Sequence, residues 1–173
     1  YTDSVIITEP NILTATFTQT NVSTCLGTDG SINTTISGGT NPYIYSWNNG
    51  FTTEDLNNLS AGIYLLTVTD DKGCIAMLNV TITEPLSPTL SFSQANVSCY
   101  DGNDGSIDLT VNGGTLPFTY IWTTTATTQD INSLIEGQYT VQVSDNNSCT
   151  QNITITITEP TAPNISTTHI NID

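Results

Sequence analysis

Four cysteines carry the most reactive side chains of this sequence: Cys25, Cys74, Cys99 and Cys149. The chain contains neither a CxxC pair nor a cluster of cysteine with histidine, so the spacing does not favour a structural zinc site. An even number of cysteines in an acidic, threonine-rich chain is typical of proteins from oxidising compartments. We therefore expect these cysteines to form disulfide bonds.

The acidic segment DGNDG at positions 101–105 could bind a metal ion through oxygen ligands. It resembles a fragment of a calcium loop, in which oxygen-bearing side chains recur at short intervals. Asp101, Asn103 and Asp104, with Asp145 from a neighbouring loop, are the candidate calcium ligands. A complete calcium loop ends in a bidentate glutamate, and none follows here. An ordinary aspartate–glycine turn explains the same residues, and no other cofactor is expected.

The charge balance excludes several classes of function. One basic residue, Lys72, stands against 16 acidic residues, which gives a formal net charge of -15. Nucleic-acid binding requires lysine and arginine to displace counterions from phosphate, and an anionic membrane surface would repel this chain. No apolar run approaches the roughly 18 residues of a membrane helix. We therefore expect no nucleic-acid partner and no membrane insertion.

Catalysis has no support in the sequence either. His169 is the only histidine, and no serine or cysteine nucleophile has a basic partner that recurs along the chain. Lys72 is replaced by Asn147 at the corresponding position 75 residues later. The repeats therefore have no lysine isopeptide crosslink in common. We expect the protein not to be an enzyme.

A shift of 75 residues aligns the chain with itself. The peptide ITEP occurs three times at this spacing, at positions 7–10, 82–85 and 157–160. Many other residues recur at the same spacing, and the one local irregularity is that Cys25 and Cys99 lie 74 positions apart. This is a tandem repeat, and a period of 75 suits a row of independently folded domains.

Four segments follow from this frame. Residues 11–85 and 86–160 are two complete repeats. Residues 1–10 are the last strand of a preceding repeat, and residues 161–173 begin the first strand of a following one. Because the sequence has no signal peptide and opens within a strand, we interpret it as an internal piece of a longer protein.

Each repeat ends in a glutamate–proline pair that we interpret as the joint to the next repeat. Proline cannot donate to a strand ladder and holds the preceding residue extended, so it ends the last strand and stiffens the connection. The predicted joints are Glu9 with Pro10, Glu84 with Pro85, and Glu159 with Pro160.

The pattern within a repeat is all-β. Strands are predicted in repeat 1 at residues 14–22, 30–37, 43–48, 51–53, 63–69 and 74–83, with residues 55–59 crossing between them. Asn49-Gly50 predicts a tight hairpin, and a bulge is expected near Leu78. The inward-facing residues of the last two strands would be Tyr64, Leu66, Val68, Ile75, Met77, Val80 and Ile82. Together with the crossing segment these make seven short strands, which predict tandem immunoglobulin-like, Greek-key β-sandwiches.

Aromatic residues support this interpretation. Trp47 and Trp122 fall where such sandwiches bury a tryptophan, and Tyr64 and Tyr139 fall at the position of a tyrosine corner. These four residues are the predicted structural core. The tryptophans end the aromatic rows Tyr43, Tyr45, Trp47 and Phe118, Tyr120, Trp122. Such a row is usually core, although an exposed one could bind sugar rings.

Two disulfide pairings stay open. Bridges within the repeats, Cys25–Cys74 and Cys99–Cys149, would close loops of about 50 residues and contribute about 4 kcal/mol each. Seven strands, however, separate the first and last turns of a sandwich by roughly 20–25 Å, whereas a disulfide tolerates a Cα separation of about 7 Å. The alternative is a bridge between neighbouring repeats, Cys25–Cys149, with Cys74 and Cys99 pairing to repeats beyond this chain.

The combination of DGS-I, GGT-x-P-[YF]-x-Y-x-W, L-x-x-G-x-Y-x-x-x-V-x-D and a closing TITEP resembles the SprB-type repeat. That family occurs in giant surface adhesins of gliding bacteria of the Bacteroidetes group. Repeat 1 departs from the pattern at residues 24–27, TCLG, where repeat 2 has CYDG. The resemblance implies an extracellular adhesin attached to the bacterial outer membrane, exported by type IX secretion and moved by the gliding machinery.

We therefore expect structural stalk repeats of a large secreted adhesin that mediates surface attachment and gliding. The expected partners are neighbouring repeats of the same chain, with a surface polysaccharide or an abiotic surface as further partners. One alternative is a polysaccharide-binding module that acts through avidity. Another is an accessory domain of a secreted hydrolase. Buried tryptophans would favour the stalk.

Overall fold

The computed structural model describes residues 11–166 of the chain. The chain divides into two compact units with the boundary between Pro85 and Leu86. We call the described residues 11–85 repeat 1 and residues 86–160 repeat 2. The predicted end of a preceding repeat, residues 1–10, lies outside the described residues. So do residues 167–173 of the predicted start of a following repeat, and residues 161–166 form no strand.

Repeat 1 contains six strands: β1 Thr14–Thr20, β2 Gly30–Ser37, β3 Ile44–Trp47, β4 Leu56–Leu59, β5 Gly62–Thr69 and β6 Ile75–Ile82. They form two three-stranded sheets, in the orders β1-β2-β4 and β3-β5-β6. All pairs within these sheets are antiparallel. Repeat 2 reproduces this arrangement with β7 Thr89–Ala95, β8 Gly105–Asn112, β9 Thr119–Trp122, β10 Ile131–Leu134, β11 Gly137–Ser144 and β12 Thr150–Ile157.

The predicted fold class is confirmed, since each repeat is an all-β sandwich of immunoglobulin-like type. The core of repeat 1 combines residues from both of its sheets, including Ile32 of β2, Leu66 and Val68 of β5, and Val80 and Ile82 of β6. Alternation along the strands accounts for this, because successive side chains point to opposite faces of a sheet. No helix occurs in residues 11–166, and hence none there could cross a membrane.

Two details of the strand assignment differ from the sequence prediction. Residues 51–53 are not a strand, because the carbonyl groups of Phe51 and Thr53 accept hydrogen bonds from the backbone amide (3.0 Å) and the indole Nε1 (2.9 Å) of Trp47. Residues 55–59, expected as a crossover, contain β4, which pairs with β2. Its alternation is broken by Asn58 at φ 56°, so that Leu56 and Leu59 are both buried.

The bulge expected near Leu78 is absent, because β5 and β6 pair without interruption from Thr69↔Ile75 to Gly62↔Ile82. Strict alternation then places Leu78 on the core side and turns Ile75 and Met77 outwards. Their side chains are 58% and 71% exposed. The prediction that Ile75 and Met77 face the core is therefore wrong.

The chain enters and leaves each repeat at opposite ends. The amide of Val22, just after β1, donates to the carbonyl oxygen of Thr83, just after β6, at 3.0 Å. Both strands therefore end together, at what we call the downstream end. At the upstream end, the amide of Gly39 donates to the carbonyl oxygen of Asn11 at 2.8 Å. Six strands achieve this because β3 and β4 run in the same direction, and residues 48–55 return between them.

Candidate functional site

The downstream end of each repeat is fastened by three hydrogen bonds, which we call the terminal clasp. In repeat 1 the clasp joins residues 19–22 to residues 81–83. Thr83 N donates to Asn21 Oδ1 at 3.0 Å, which complements the Val22–Thr83 backbone bond, and Gln19 Nε2 donates to Thr81 O at 2.8 Å. The clasp of repeat 2 has the same three bonds, Val97 N to Thr158 O at 3.0 Å, Thr158 N to Asn96 Oδ1 at 3.1 Å and Gln94 Nε2 to Thr156 O at 2.9 Å.

The joint glutamates anchor the turn that follows the first strand of each repeat. Glu84 Oε2 accepts a hydrogen bond from the amide of Leu26 at 2.9 Å, and Glu159 Oε2 accepts one from the amide of Asp101 at 2.8 Å. Leu26 and Asp101 both have positive φ, 56° and 53°. Sequence reasoning missed this bond, because the two partners lie 58 residues apart. Each joint is thus tied to its own repeat.

The prolines of the joints follow these glutamates. The carbonyl oxygen of Pro85 lies 3.4 Å from Sγ of Cys25, which places the cysteine beside the joint. Pro160 is exposed and lies three residues after the end of β12. Glu9 and Pro10, the first predicted joint, lie outside the described residues.

The predicted calcium ligands are not brought to one place. Asp104 Oδ1 accepts a hydrogen bond from the amide of Ser98 at 2.9 Å, in the downstream turn of repeat 2. Hydrogen bonds from the side chain and backbone of Ser98 lower the pKa of Asp104. Asp101 and Asn103 belong to the same turn, whereas Asp145 lies at the upstream end. Within residues 11–166 no three His, Cys, Asp or Glu side chains are grouped to hold a metal ion.

Asp70 organises the upstream end of repeat 1. Its carboxylate accepts hydrogen bonds from the amides of Thr40 at 2.9 Å, Lys72 at 2.9 Å and Cys74 at 2.8 Å. Burial by itself raises the pKa of Asp70, but the three amide donors outweigh it and the pKa is lowered. The carboxylate therefore holds two separate loops together in its charged form.

Asp145 does the same in repeat 2. It accepts from the amides of Thr115 at 2.9 Å, Asn147 at 2.9 Å and Cys149 at 2.8 Å, and these bonds likewise lower its pKa against the effect of burial. The carboxylate oxygens of Asp145, which were proposed to bind calcium, thus accept hydrogen bonds from backbone amides. The signal for this role was the aspartate that ends the V-x-D motif in both repeats.

The cysteines fall into two states. Cys74 and Cys99 are exposed free thiols, whereas Cys25 and Cys149 are disulfide-bonded. The bridges Cys25–Cys74 and Cys99–Cys149 are therefore not formed. Within repeat 1, Cys25 lies at the downstream end and Cys74 at the upstream end. The same separation of the two turns applies to Cys99 and Cys149 in repeat 2, so an intra-repeat bridge would have to span the sandwich.

The tryptophans are buried, with 3% of Trp47 and 2% of Trp122 exposed. Each indole Nε1 donates to a backbone carbonyl, of Thr53 and Thr128 respectively, at 2.9 Å. The other aromatic residues of the two rows are partly buried and pack against the same cores. Neither indole is available for stacking against a sugar ring.

The tyrosines form the corner that immunoglobulin-like sandwiches use. Tyr64 Oη donates to the carbonyl oxygen of Ser60 at 2.9 Å, and Tyr139 Oη donates to that of Ile135 at 3.0 Å. In both cases the acceptor lies four residues upstream. Tyr64 is partly buried and Tyr139 is buried.

The family model of the SprB repeat matches residues 16–52 and 91–127. These two segments begin in the first strand of each sandwich and are themselves 75 residues apart. Both repeats match the SprB repeat. Each matched segment includes the downstream turn and the buried tryptophan. The upstream aspartate and the joint lie beyond it. Among curated proteins, none matches the sequence.

Several solved structures are similar to this chain. The three N-terminal domains of the highly immunogenic outer capsid protein Hoc of bacteriophage RB49 share 18% identity at a TM-score of 0.47, over 84% of this chain and 58% of that one. The eight N-terminal Ig domains of Down syndrome cell adhesion molecule share 13% identity at a TM-score of 0.42, over 85% of this chain and 27% of that one. Domains 4–9 of the surface-layer protein SbsC share 13% identity at a TM-score of 0.32, over 92% of this chain and 32% of that one. The chain thus spans less than two thirds of these structures.

Proposed function

We propose that these SprB repeats are stalk elements of a large secreted cell-surface adhesin, and that their role is mechanical. The SprB family supports a cell-surface repeat module of structural, non-catalytic type. Attachment to the outer membrane, export by type IX secretion, and service in adhesion and gliding belong to this proposal through the same family. The observation that carries the mechanical role is the terminal clasp.

The clasp lies where a pulling force would act. β1 and β6 run in the same direction, and the chain enters before β1 and leaves after β6. A force applied to the two ends of a repeat therefore slides these strands past each other. Sliding loads the three clasp bonds together, whereas peeling would break them one at a time. A stalk requires such resistance, and both SprB repeats have the same clasp.

Charge and burial agree with a stalk. A net charge of -15 keeps neighbouring chains apart and soluble through mutual repulsion. The buried tryptophans remove the aromatic platform on which a sugar-binding role for the aromatic rows would depend. Surface polysaccharides and abiotic surfaces are then proposed as targets of surfaces other than these aromatic rows, and neighbouring repeats are proposed as the immediate partners of each repeat.

We further propose that neighbouring repeats are stapled by disulfides, with the pair Cys25–Cys149 in this chain. Cys25 lies at the downstream end of repeat 1 and Cys149 at the upstream end of repeat 2, and both are disulfide-bonded. In the same scheme, Cys74 and Cys99 pair with repeats beyond the chain. Peptide mapping without reductant tests the scheme, since recovery of a Cys25–Cys74 peptide would contradict it.

The mechanical role is tested by pulling single molecules of the reduced chain through its termini. Asn21→Ala removes one clasp acceptor on the line of force, and Asn79→Ala removes an exposed asparagine of β6 outside the clasp as a control. We expect the first variant to unfold at a clearly lower force than the control, with a similar midpoint in chemical denaturation. Equal unfolding forces for the two variants would contradict the proposal.

A further inference from the structure

Repeat 2 has a polar groove that the stalk function does not use. It has a volume of about 480 Å³ and lies between the turn after β9 and the strand β10. Its walls carry hydroxyl, amide and carboxylate groups from Thr124, Thr125, Thr128, Asp130, Asn132 and Ser133. The buried side chains of Ile131 and Leu134 contribute to its lining. The volume lies within the range of about 300–1,000 Å³ that is usual for small-molecule sites.

One of the substitutions between the repeats in this region changes the size of a side chain that lines the groove. Ala126 lines the groove, whereas the corresponding residue of repeat 1 is Phe51, whose side chain is 53% exposed. The backbone is held alike in both, because Trp122 N donates to Ala126 O at 3.1 Å and Trp47 N donates to Phe51 O at 3.0 Å. The larger side chain would occupy space that Ala126 leaves open.

The backbone of the groove carries strain that repeat 1 avoids. Thr125 has φ 67°, in the left-handed region that is costly for a β-branched residue. The corresponding residue of repeat 1 is Gly50, at φ 89°, which adopts this region freely. A threonine retained at such a position places a hydroxyl at the groove, and strained residues of this kind cluster at ligand sites.

The charge of the groove limits what it can bind. Residues 86–160 contain no lysine, arginine or histidine, so phosphates, sulfates and uronic acids have no cation to pair with. One carboxylate faces the groove, and Asp130 Oδ1 is fixed by a hydrogen bond from the amide of Leu109 at 2.9 Å. Threonine and serine hydroxyls both donate and accept. Such a lining fits a neutral, hydroxyl-rich ligand.

We propose that the groove of repeat 2 binds one or two units of a neutral polysaccharide. The site does not depend on the stalk function, and it would add a lateral contact to each repeat that has a small residue at the position of Ala126. A single shallow site of this kind binds weakly, and an array gains through avidity. Repeats with phenylalanine at this position would serve the stalk alone.

The test is a titration of the ¹⁵N-labelled chain with N-acetylglucosamine and cellotetraose as neutral probes, and with glucuronate as the anionic control. We expect chemical-shift changes confined to residues 124–134, with a millimolar dissociation constant for the neutral probes and no response to glucuronate. The absence of shifts in this segment with both neutral probes, or equal shifts with glucuronate, would overturn the proposal.

Two variants separate binding from folding. Ala126→Phe gives repeat 2 the side chain that repeat 1 already carries, so the fold is retained and binding weakens by about tenfold or more. Thr125→Gly removes both a hydroxyl and the strain, so it weakens binding while raising thermal stability. Unchanged affinity in Ala126→Phe, with the spectrum of a folded repeat, would refute the groove as the site.

Discussion

In the downstream turn of repeat 1, the amide of Gly27 donates to the carbonyl oxygen of Thr24 at 3.1 Å. In that of repeat 2, the amide of Gly102 donates to the carbonyl oxygen of Cys99 at 3.0 Å. The residue before each glycine has positive φ, and its amide donates a hydrogen bond to the joint glutamate. The two turns therefore share one backbone, and Cys99 occupies the position of Thr24.

The spacing of 74 between Cys25 and Cys99 is thus not a deletion in the chain. The cysteine has moved by one position within an unchanged turn, and Tyr100 of repeat 2 corresponds to Cys25. Cys25 lies beside the Pro85 carbonyl, whereas Cys99 is exposed, with its Sγ 3.7 Å from Ser98 Oγ. The backbone of the turn is therefore the same in both repeats, whereas the position of the cysteine within the turn differs by one residue.

In the upstream turns, by contrast, the position of the cysteine does not vary. Cys74 and Cys149 occupy the same position, and each amide donates to its aspartate at 2.8 Å. Their surroundings and their bonding differ, since Cys74 is an exposed free thiol, whereas Cys149 is buried and disulfide-bonded. Each proposed staple would therefore join a fixed upstream cysteine to a downstream cysteine whose position varies.

The largest expected effect on stability is the difference between replacing a disulfide-bonded cysteine and replacing a free one. Cys25→Ser should lower the free energy of unfolding of the oxidised chain by up to about 5 kcal/mol, because it removes a crosslink that closes a long loop. Cys74→Ser should change it by less than about 0.5 kcal/mol, as is usual for an exposed position. Urea denaturation measures both, and equal effects would contradict the difference between the two cysteines.

A shared backbone predicts that the two downstream glycines respond alike. A Cβ atom on Gly27 would lie 2.7 Å from Val22 Cγ1, and one on Gly102 would lie 2.7 Å from Val97 Cγ1. Both are buried neighbours, so Gly27→Ala and Gly102→Ala should each cost about 1–3 kcal/mol through overpacking. Gly50→Ala, with open space around its Cβ, controls for backbone strain alone. A loss in only one repeat would show that the turns differ.

The joint glutamates should have smaller and equal effects. Glu84→Gln and Glu159→Gln replace a charge-assisted hydrogen bond to the turn amide with a neutral one, at a cost of about 1 kcal/mol each. Glu136→Gln, at an exposed turn, serves as the control. Thermal denaturation measures all three variants, and a joint variant that behaves like the control would remove the anchoring role.

The smallest expected effect is the loss of stability in acid that the upstream aspartates cause. Their lowered pKa values stabilise the fold at all pH values above the ordinary aspartate value of 3.8, and this contribution is lost as the pH falls through the lower folded values. Stability should therefore be flat from pH 7 to about pH 5 and should decline below about pH 4. Asp70→Asn should reduce this decline in repeat 1 while repeat 2 retains it, and an unchanged acid profile would contradict the assignment.

The sequence predicted those features that depend on alternation and on short-range motifs. The strand Gly30–Ser37 has the predicted bounds, and Tyr64 and Trp47 occupy the expected places. The strand β4 was missed because an asparagine with positive φ breaks its alternation. The outward turn of Met77 was missed because a large apolar residue was assumed to face the core.

The features of the two ends could not be predicted from local pattern. Glu84 binds an amide 58 residues away, and Asp70 binds one 30 residues away. Neither partner can be identified from composition or periodicity, since an aspartate or glutamate at the end of a strand is ordinarily solvated. The recurrence of both residues at a spacing of 75 was the only available signal.

One measurement tests the stapled stalk most directly, namely the extension of the chain under force in its oxidised and reduced forms. A Cys25–Cys149 bridge would shield the 123 residues between them from the force. Reduction should therefore lengthen the fully unfolded chain by roughly 400–450 Å, at about 3.3–3.6 Å for each residue. Equal lengths before and after reduction would contradict the staple, and with it the account of how neighbouring repeats are joined.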